Sequence, residues 1–400
     1  MDTNVRTNKA TPWIALVISV IYAVLYVIFM VDAASVARSR FTPVLFLATS
    51  ILSLVFIVFL LINNKLDRTY DPSNKRIDAV SYRYMIISII MMILPVILQM
   101  LFFMVIPDAD ALADKYPARI TFVISIITIY MIGFPSLWLT LRRIPKMTIV
   151  PGRMGIGKFL MCIAITAGLA LIGTIIGAPI HMLLTDPFTD SDLSGIAEIM
   201  VSSTFIERTV MTGVLAPIFE ELICRKLLID RTIRYGEHLS ILMSGIIFGL
   251  IHGNFQQFFF AMLIGMLFAL IYIRTGRVIY TILLHATVNL SSSVVTATLL
   301  IKLLPYLDDM ENIESLPEDV LLALSVLSLW LLFLGAVALT GIILLIVFWK
   351  KLRPFNVPDT PSVGGSLKQL FTSPVFLGLT ILCLAQFAAS YLPDIVNYFR

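Results

Sequence analysis

The chain has 400 residues, of which 59% are hydrophobic and only 14% charged, whereas soluble domains are about 45–50% apolar. That excludes an ordinary soluble fold and leaves a polytopic membrane protein. The formal net charge of +4 is dispersed among loops and forms no basic patch interleaved with aromatics, so no nucleic-acid partner is expected.

Apolar runs long enough to span a bilayer occur at residues 13–31, 42–63, 84–106, 120–141 and 159–184, and again at 209–229, 239–253, 255–273, 278–304, 320–349 and 373–392. The seventh is short. The expected fold is all-α, a transmembrane bundle of about eleven helices.

Loop charge orients it. Arg142, Arg143, Lys146, Arg153 and Lys158 lie between 142 and 158 with no acid among them, five basic residues lie between 65 and 83, and Lys350, Lys351, Arg353 and Lys368 follow the tenth run. Intervening connections are acidic: Asp186, Asp190, Asp192, Glu198 and Glu207, then Asp308, Asp309, Glu311, Glu314, Glu318 and Asp319. The alternation places the N-terminus in the cytoplasm and the C-terminus outside, with Arg38 and Arg40 running against it. Ser35-Val36-Ala37 resembles a signal-peptide cleavage site, but the run before it is longer than a usual h-region and reads as a span. Cys162, Cys224 and Cys383 fall in apolar runs and imply no disulfide framework. No repeat of 20–50 residues is visible.

Polar residues at membrane depth concentrate between 205 and 295. In Ala216-Pro-Ile-Phe-Glu-Glu-Leu-Ile-Cys-Arg-Lys-Leu-Leu228, two glutamates and an arginine sit inside an apolar run, where each ionised group costs roughly 2.5–3.5 kcal/mol at a helix centre. At i and i+4, Glu221 and Arg225 share a face and read as a self-neutralising structural pair. Glu220 points elsewhere with no cation on its own side, which makes it the candidate general acid/base. His285 and Asn289 are likewise at i and i+4, as are Phe248 and His252, so a ring is expected to wall that imidazole. His181 and His238 lie near run ends and read as structural. Gly245, Gly249 and Gly253 form one small-residue face, and Ala261, Gly265 and Ala269 another, both suited to close helix packing.

Glu220-Glu221-x-x-x-Arg225, Phe248-x-x-x-His252 and His285-x-x-x-Asn289, in that order and each on an apolar run, resemble the three motifs of the CPBP family. These are intramembrane proteases that include type II CAAX prenyl endopeptidases and bacteriocin-immunity relatives. The resemblance covers about a quarter of the chain. It implies that Glu220 and His252 activate a water for attack on a peptide carbonyl, that His285 and Asn289 stabilise the oxyanion, and that Glu221, Arg225 and Phe248 support the site. It divides the chain into N-terminal accessory helices (1–158), a catalytic helical core (159–304) and C-terminal accessory helices (305–400). Lys226, where relatives often carry glycine, is a departure.

A metal-independent glutamate mechanism without a cofactor is the preferred expectation. The alternative is zinc held by Glu220, His252 and His285, against which stands the absence of an HExxH helix. A non-catalytic immunity or partner protein and a proton-coupled transporter are the rivals from other classes. The expected partners are the lipid bilayer and a membrane-associated peptide or protein substrate, with oligomeric state open. The expected setting is the plasma membrane of a bacterium, as an integral multi-pass protein.

Overall fold

A computed structural model describes residues 10–34, 41–63, 77–185, 195–307, 316–355 and 360–398, and all regular structure among them is helical. The helices are α1 (Thr11–Ala34), α2 (Thr42–Asn63), α3 (Asp78–Val105), α4 (Ala109–Lys115), α5 (Pro117–Leu141), α6 (Ile156–Thr185) and α7 (Gly195–Ser202). Then come α8 (205–235), α9 (Glu237–Leu250), α10 (Phe255–Thr275), α11 (Val278–Tyr306), α12 (Glu318–Val347), α13 (Val363–Thr372) and α14 (Pro374–Tyr398). Ser35-Val36-Ala37, Arg38, Arg40, Lys65, Arg68, Lys75, Arg76, Asp186, Asp190, Asp192, Asp308, Asp309, Glu311, Glu314 and the Glu198 side chain lie outside the described residues.

Each of the eleven expected runs is helical, and α4, α7 and α13 are short additions. Nine helices among the described residues are long and apolar enough to cross a membrane. The two runs outside that number are α8, which carries Glu207, Arg208, Glu220, Glu221, Arg225, Lys226, Asp230, Arg231 and Arg234, and the 14-residue α9. The multi-pass membrane architecture therefore stands, with its charge concentrated on one rod.

One boundary differs from the expectation. α9 ends at Leu250, so His252 lies in the turn between α9 and α10 and not within a span. The cause is local: Gly253 takes φ +70°, which ends the helix, and the Asn254 side chain accepts from the Gln257 N–H at 2.9 Å, which starts the next one.

α9 and α10 form a close hairpin at the centre. A Cβ on Gly249 would meet the Phe258 carbonyl oxygen at 2.7 Å, and one on Gly245 the Met262 carbonyl oxygen at 2.9 Å, while Gly265 faces the Gly245 Cα. A Cβ on Gly253 would be 3.9 Å from its nearest neighbour, so the expected three-glycine face consists of two. With lipid as the competing solvent, such backbone approach is the main attraction between helices. Gly249→Ala is accordingly expected to destabilise the protein by about 1–3 kcal/mol, read as a lowered unfolding midpoint in detergent, because the clash is with backbone and cannot be relieved by a rotamer. The other side of the hairpin meets α6, where Gly173 admits the Phe260 backbone, and α6 in turn meets α12 through Gly168 and Gly341. α1 and α3 pack against α14, and α2 packs against α1 and α3.

Four helical segments are wound as π-helix: Ile126–Gly133 in α5, Thr209–Leu215 and Leu222–Leu227 in α8, and Leu290–Thr296 in α11. Two of them end two residues before a proline, Pro135 and Pro217. A proline ring clashes with the carbonyl four residues back, here Met131 and Gly213, and the wider turn relieves that clash. These segments fix the rotation of α5, α8 and α11 where they meet.

Candidate active site

Glu220 and Glu221 stand between the two π segments of α8. Glu221 is fully buried, and so is Arg225, whose Nε lies 3.0 Å from Glu221 Oε2. The angle there is not that of a hydrogen bond, so the contact is an ion pair held by charge. The guanidinium is instead held by rings: it lies 4.3 Å from the centroid of Phe248 and 5.5 Å from that of Phe268. Two cation–π contacts in a desolvated setting are the compensation a buried arginine needs.

The second oxygen of Glu221 is also occupied. His285 Nδ1 lies 3.1 Å from Glu221 Oε1, and since a carboxylate only accepts, Nδ1 carries the proton and donates. The opposite ring nitrogen, Nε2, then points to Glu220, with 3.9 Å to its Oε2. His285 thus bridges the two glutamates. Glu220 keeps a side chain 25% exposed, and its Oε2 has no hydrogen-bond partner. The spacing argument assigned Glu221 to Arg225 and left Glu220 over, and the structure shows the same division.

Phe248 is the hub. Its face carries Arg225, while the rings of His252 and His285 meet it edge-on at 5.2 Å and 5.4 Å. His252 Nδ1 lies 2.7 Å from the Phe248 carbonyl oxygen, so it donates there and leaves Nε2 as the ring's free lone pair. Glu220 and His252 are near enough for their charges to interact. Glu220, Glu221, Arg225, Phe248, His252 and His285 are therefore brought together.

Asn289 is tied to α8 by a bond the spacing did not predict. In the first π segment of α8 the Ala216 N–H reaches Met211 O, five residues back, and the next carbonyl, Thr212 O, would be met by residue 217. That residue is proline and has no N–H. Asn289 Nδ2 fills the gap, donating to Thr212 O at 2.7 Å. One of its two amide hydrogens is spent on structure and one remains. Asn289→Leu is expected to cost about 1–3 kcal/mol of stability in addition to any loss of activity, seen as a shifted unfolding midpoint.

Three further residues hold the second π segment. Tyr84 of α3 donates to Ile223 O at 2.7 Å, Ser244 of α9 donates to Cys224 O at 2.8 Å, and Arg231 donates to Leu227 O at 2.9 Å. Phe219, next to Glu220, stacks on Tyr130 of α5 at 4.4 Å between centroids and meets Phe134 edge-on at 5.1 Å. Sequence reasoning missed Tyr84, Tyr130, Ser244 and Phe268. Lys226, the departure from the family pattern, is accommodated at the helix edge: its Nζ lies 2.9 Å from Asp230 and 3.0 Å from the Tyr272 hydroxyl, which itself donates to Asp230.

As a metal site the arrangement does not fit. Among the described residues no three of His, Cys, Asp and Glu are gathered in the way an ion would need, and this includes Glu220, His252 and His285.

Residues 202–291 match the family model described as type II CAAX prenyl endopeptidase, Rce1-like. The matched segment contains every candidate site residue from Glu220 to Asn289 and excludes Tyr84 and Tyr130. No curated protein and no solved structure matches the chain.

Proposed function

We propose, from the match of residues 202–291 to the type II CAAX prenyl endopeptidase Rce1-like family, that the chain hydrolyses a peptide bond of a membrane-associated peptide or protein tail with Glu220 as the general base. The observation that carries this reading is the unequal standing of the two carboxylates. Glu221 is spent on Arg225 and His285, whereas Glu220 is part-exposed with an unpartnered oxygen. A carboxylate at membrane depth whose charge is not neutralised by structure is a functional group by default.

In the proposed reaction, Glu220 takes a proton from a water as the water oxygen attacks the scissile carbonyl, and His252 orients that water through Nε2. The proton passes from Glu220 to the departing amine as the C–N bond breaks, leaving a carboxylate and an amine. His285 acts on the oxyanion. In this proposal Nδ1–H is given to Glu221 and the doubly protonated ring donates through Nε2, the nitrogen on the Glu220 side. Asn289 offers its remaining amide hydrogen. Donors preset in this way are worth about 3–4 kcal/mol each in acyl-transfer enzymes. Glu221, Arg225 and Phe248 hold His285 and His252 in place.

The test is mass-spectrometric detection of new peptide termini after incubating purified protein in detergent with a diverse peptide library, with and without a zinc chelator. Cleavage that survives chelation is expected. Cleavage that chelation abolishes would replace the glutamate mechanism with the zinc alternative.

A further inference from the structure

Polar groups from outside the matched segment also lie near Glu220. Tyr130 is one. It lies on α5 in the accessory helices, 13 residues from the start of that helix at Pro117, which puts it about 20 Å along the axis and so at membrane depth. Its ring stacks on Phe219, the residue before Glu220, at 4.4 Å and 30°. Its hydroxyl is near enough to the Glu220 carboxylate to feel its charge.

That hydroxyl makes no hydrogen bond among the described residues, whereas those of Tyr84 and Tyr22 do. Tyr84 donates to Ile223 O, and Tyr22 pairs with Ser53 at 3.0 Å. Phenylalanine would give the same stack, so the hydroxyl is not needed for packing. Tyr130 is half-buried, and the Glu220 side chain is 25% exposed. The π segment Ile126–Gly133 contains Tyr130 and turns it toward α8, and the proline that requires that segment is Pro135.

We propose that Tyr130 is a catalytic residue supplied by the accessory helices, whose hydroxyl donates a hydrogen bond to the reacting amide of the peptide held against Glu220. This rests on the hydrolytic reading above. It gives the helices before the matched segment a share in the chemistry: the substrate lies beside both Tyr130 of α5 and Glu220 of α8.

The experiment compares purified wild type, Tyr130→Phe, Tyr130→Ala and Glu220→Gln on the peptide that wild type cleaves best from the library, with kcat, KM and unfolding midpoint measured for each. Tyr130→Phe keeps the ring and removes only the oxygen. It is expected to lower kcat by about 100-fold with KM changed less than about 3-fold and with the midpoint at the wild-type value. Wild-type kcat in Tyr130→Phe would overturn the proposal, because the ring alone would then be at work. A loss accompanied by a lowered midpoint, or one seen only in KM, would overturn it as well. An inactive Glu220→Gln beside a fully active Tyr130→Phe would sink this inference alone, whereas an active Glu220→Gln would sink the hydrolytic reading on which it stands.

Discussion

Glu220→Gln is expected to lower kcat/KM by about 10²- to 10⁴-fold, the range over which a positioned acid/base contributes, and to leave the unfolding midpoint where it was. Both halves come from the same geometry. Gln has the shape of Glu and retains an oxygen that accepts, but it cannot take a proton from water or carry one to a departing amine. Stability is unaffected because Glu220 makes no structural bond for the substitution to break: its Oε2 is unpartnered, and His285 Nε2 is 3.9 Å away, beyond hydrogen-bond distance. Glu220→Asp draws the carboxylate back by one methylene, so an intermediate loss is expected from misplacement alone. The measurement is steady-state kinetics in detergent, paired with thermal unfolding of the same preparations.

Arg225→Met produces the opposite pattern, a large loss of stability. Removing one partner of a buried ion pair costs about 3–5 kcal/mol, because the remaining charge stays buried. Here that charge is Glu221, which has only His285 left as a charged neighbour. The guanidinium's contacts with Phe248 and Phe268 are lost as well. The double variant Glu221→Gln/Arg225→Met is expected to regain most of the lost stability, since replacing both members of a buried pair by neutral groups of similar size is often near neutral. It should remain inactive, because His285 is then no longer held by a carboxylate. Thermal unfolding of the two single variants and the double variant supplies the comparison. A single Arg225→Met as stable as wild type would show that charge compensation is not what keeps Glu221 in the bundle.

How much of this was legible in the sequence depended on how far apart the cooperating residues lie. The helices were legible because hydrocarbon demands long apolar runs, and Glu221 with Arg225 was legible because a helix places i and i+4 together. The bridge from Glu221 to His285 spans 64 positions and is a matter of tertiary packing, so spacing within one helix was silent about it. The turn that carries His252 was misread as helix, although Gly253-Asn254 is a stop followed by an N-cap, a signal masked by the apolar residues on both sides. The spacing of Asn289 from His285 said nothing of its partner on α8. Its bond to Thr212 O follows from the missing N–H of Pro217, and that signal lies on another helix. Tyr84, Tyr130 and Phe268 carried no local mark at all. An aromatic residue in an apolar run reads as packing until its neighbour is known, and their neighbours on α8 are distant in the chain.

The central claim is that a membrane-embedded glutamate, free of structural duty, drives peptide hydrolysis. Its most direct test is the peptide library incubated with wild type and with Glu220→Gln side by side, in the presence of a zinc chelator. New termini with wild type and none with Glu220→Gln, both proteins being equally folded, is the predicted result. Equal cleavage by the two, or no cleavage by either while both still bind a partner protein, would contradict it.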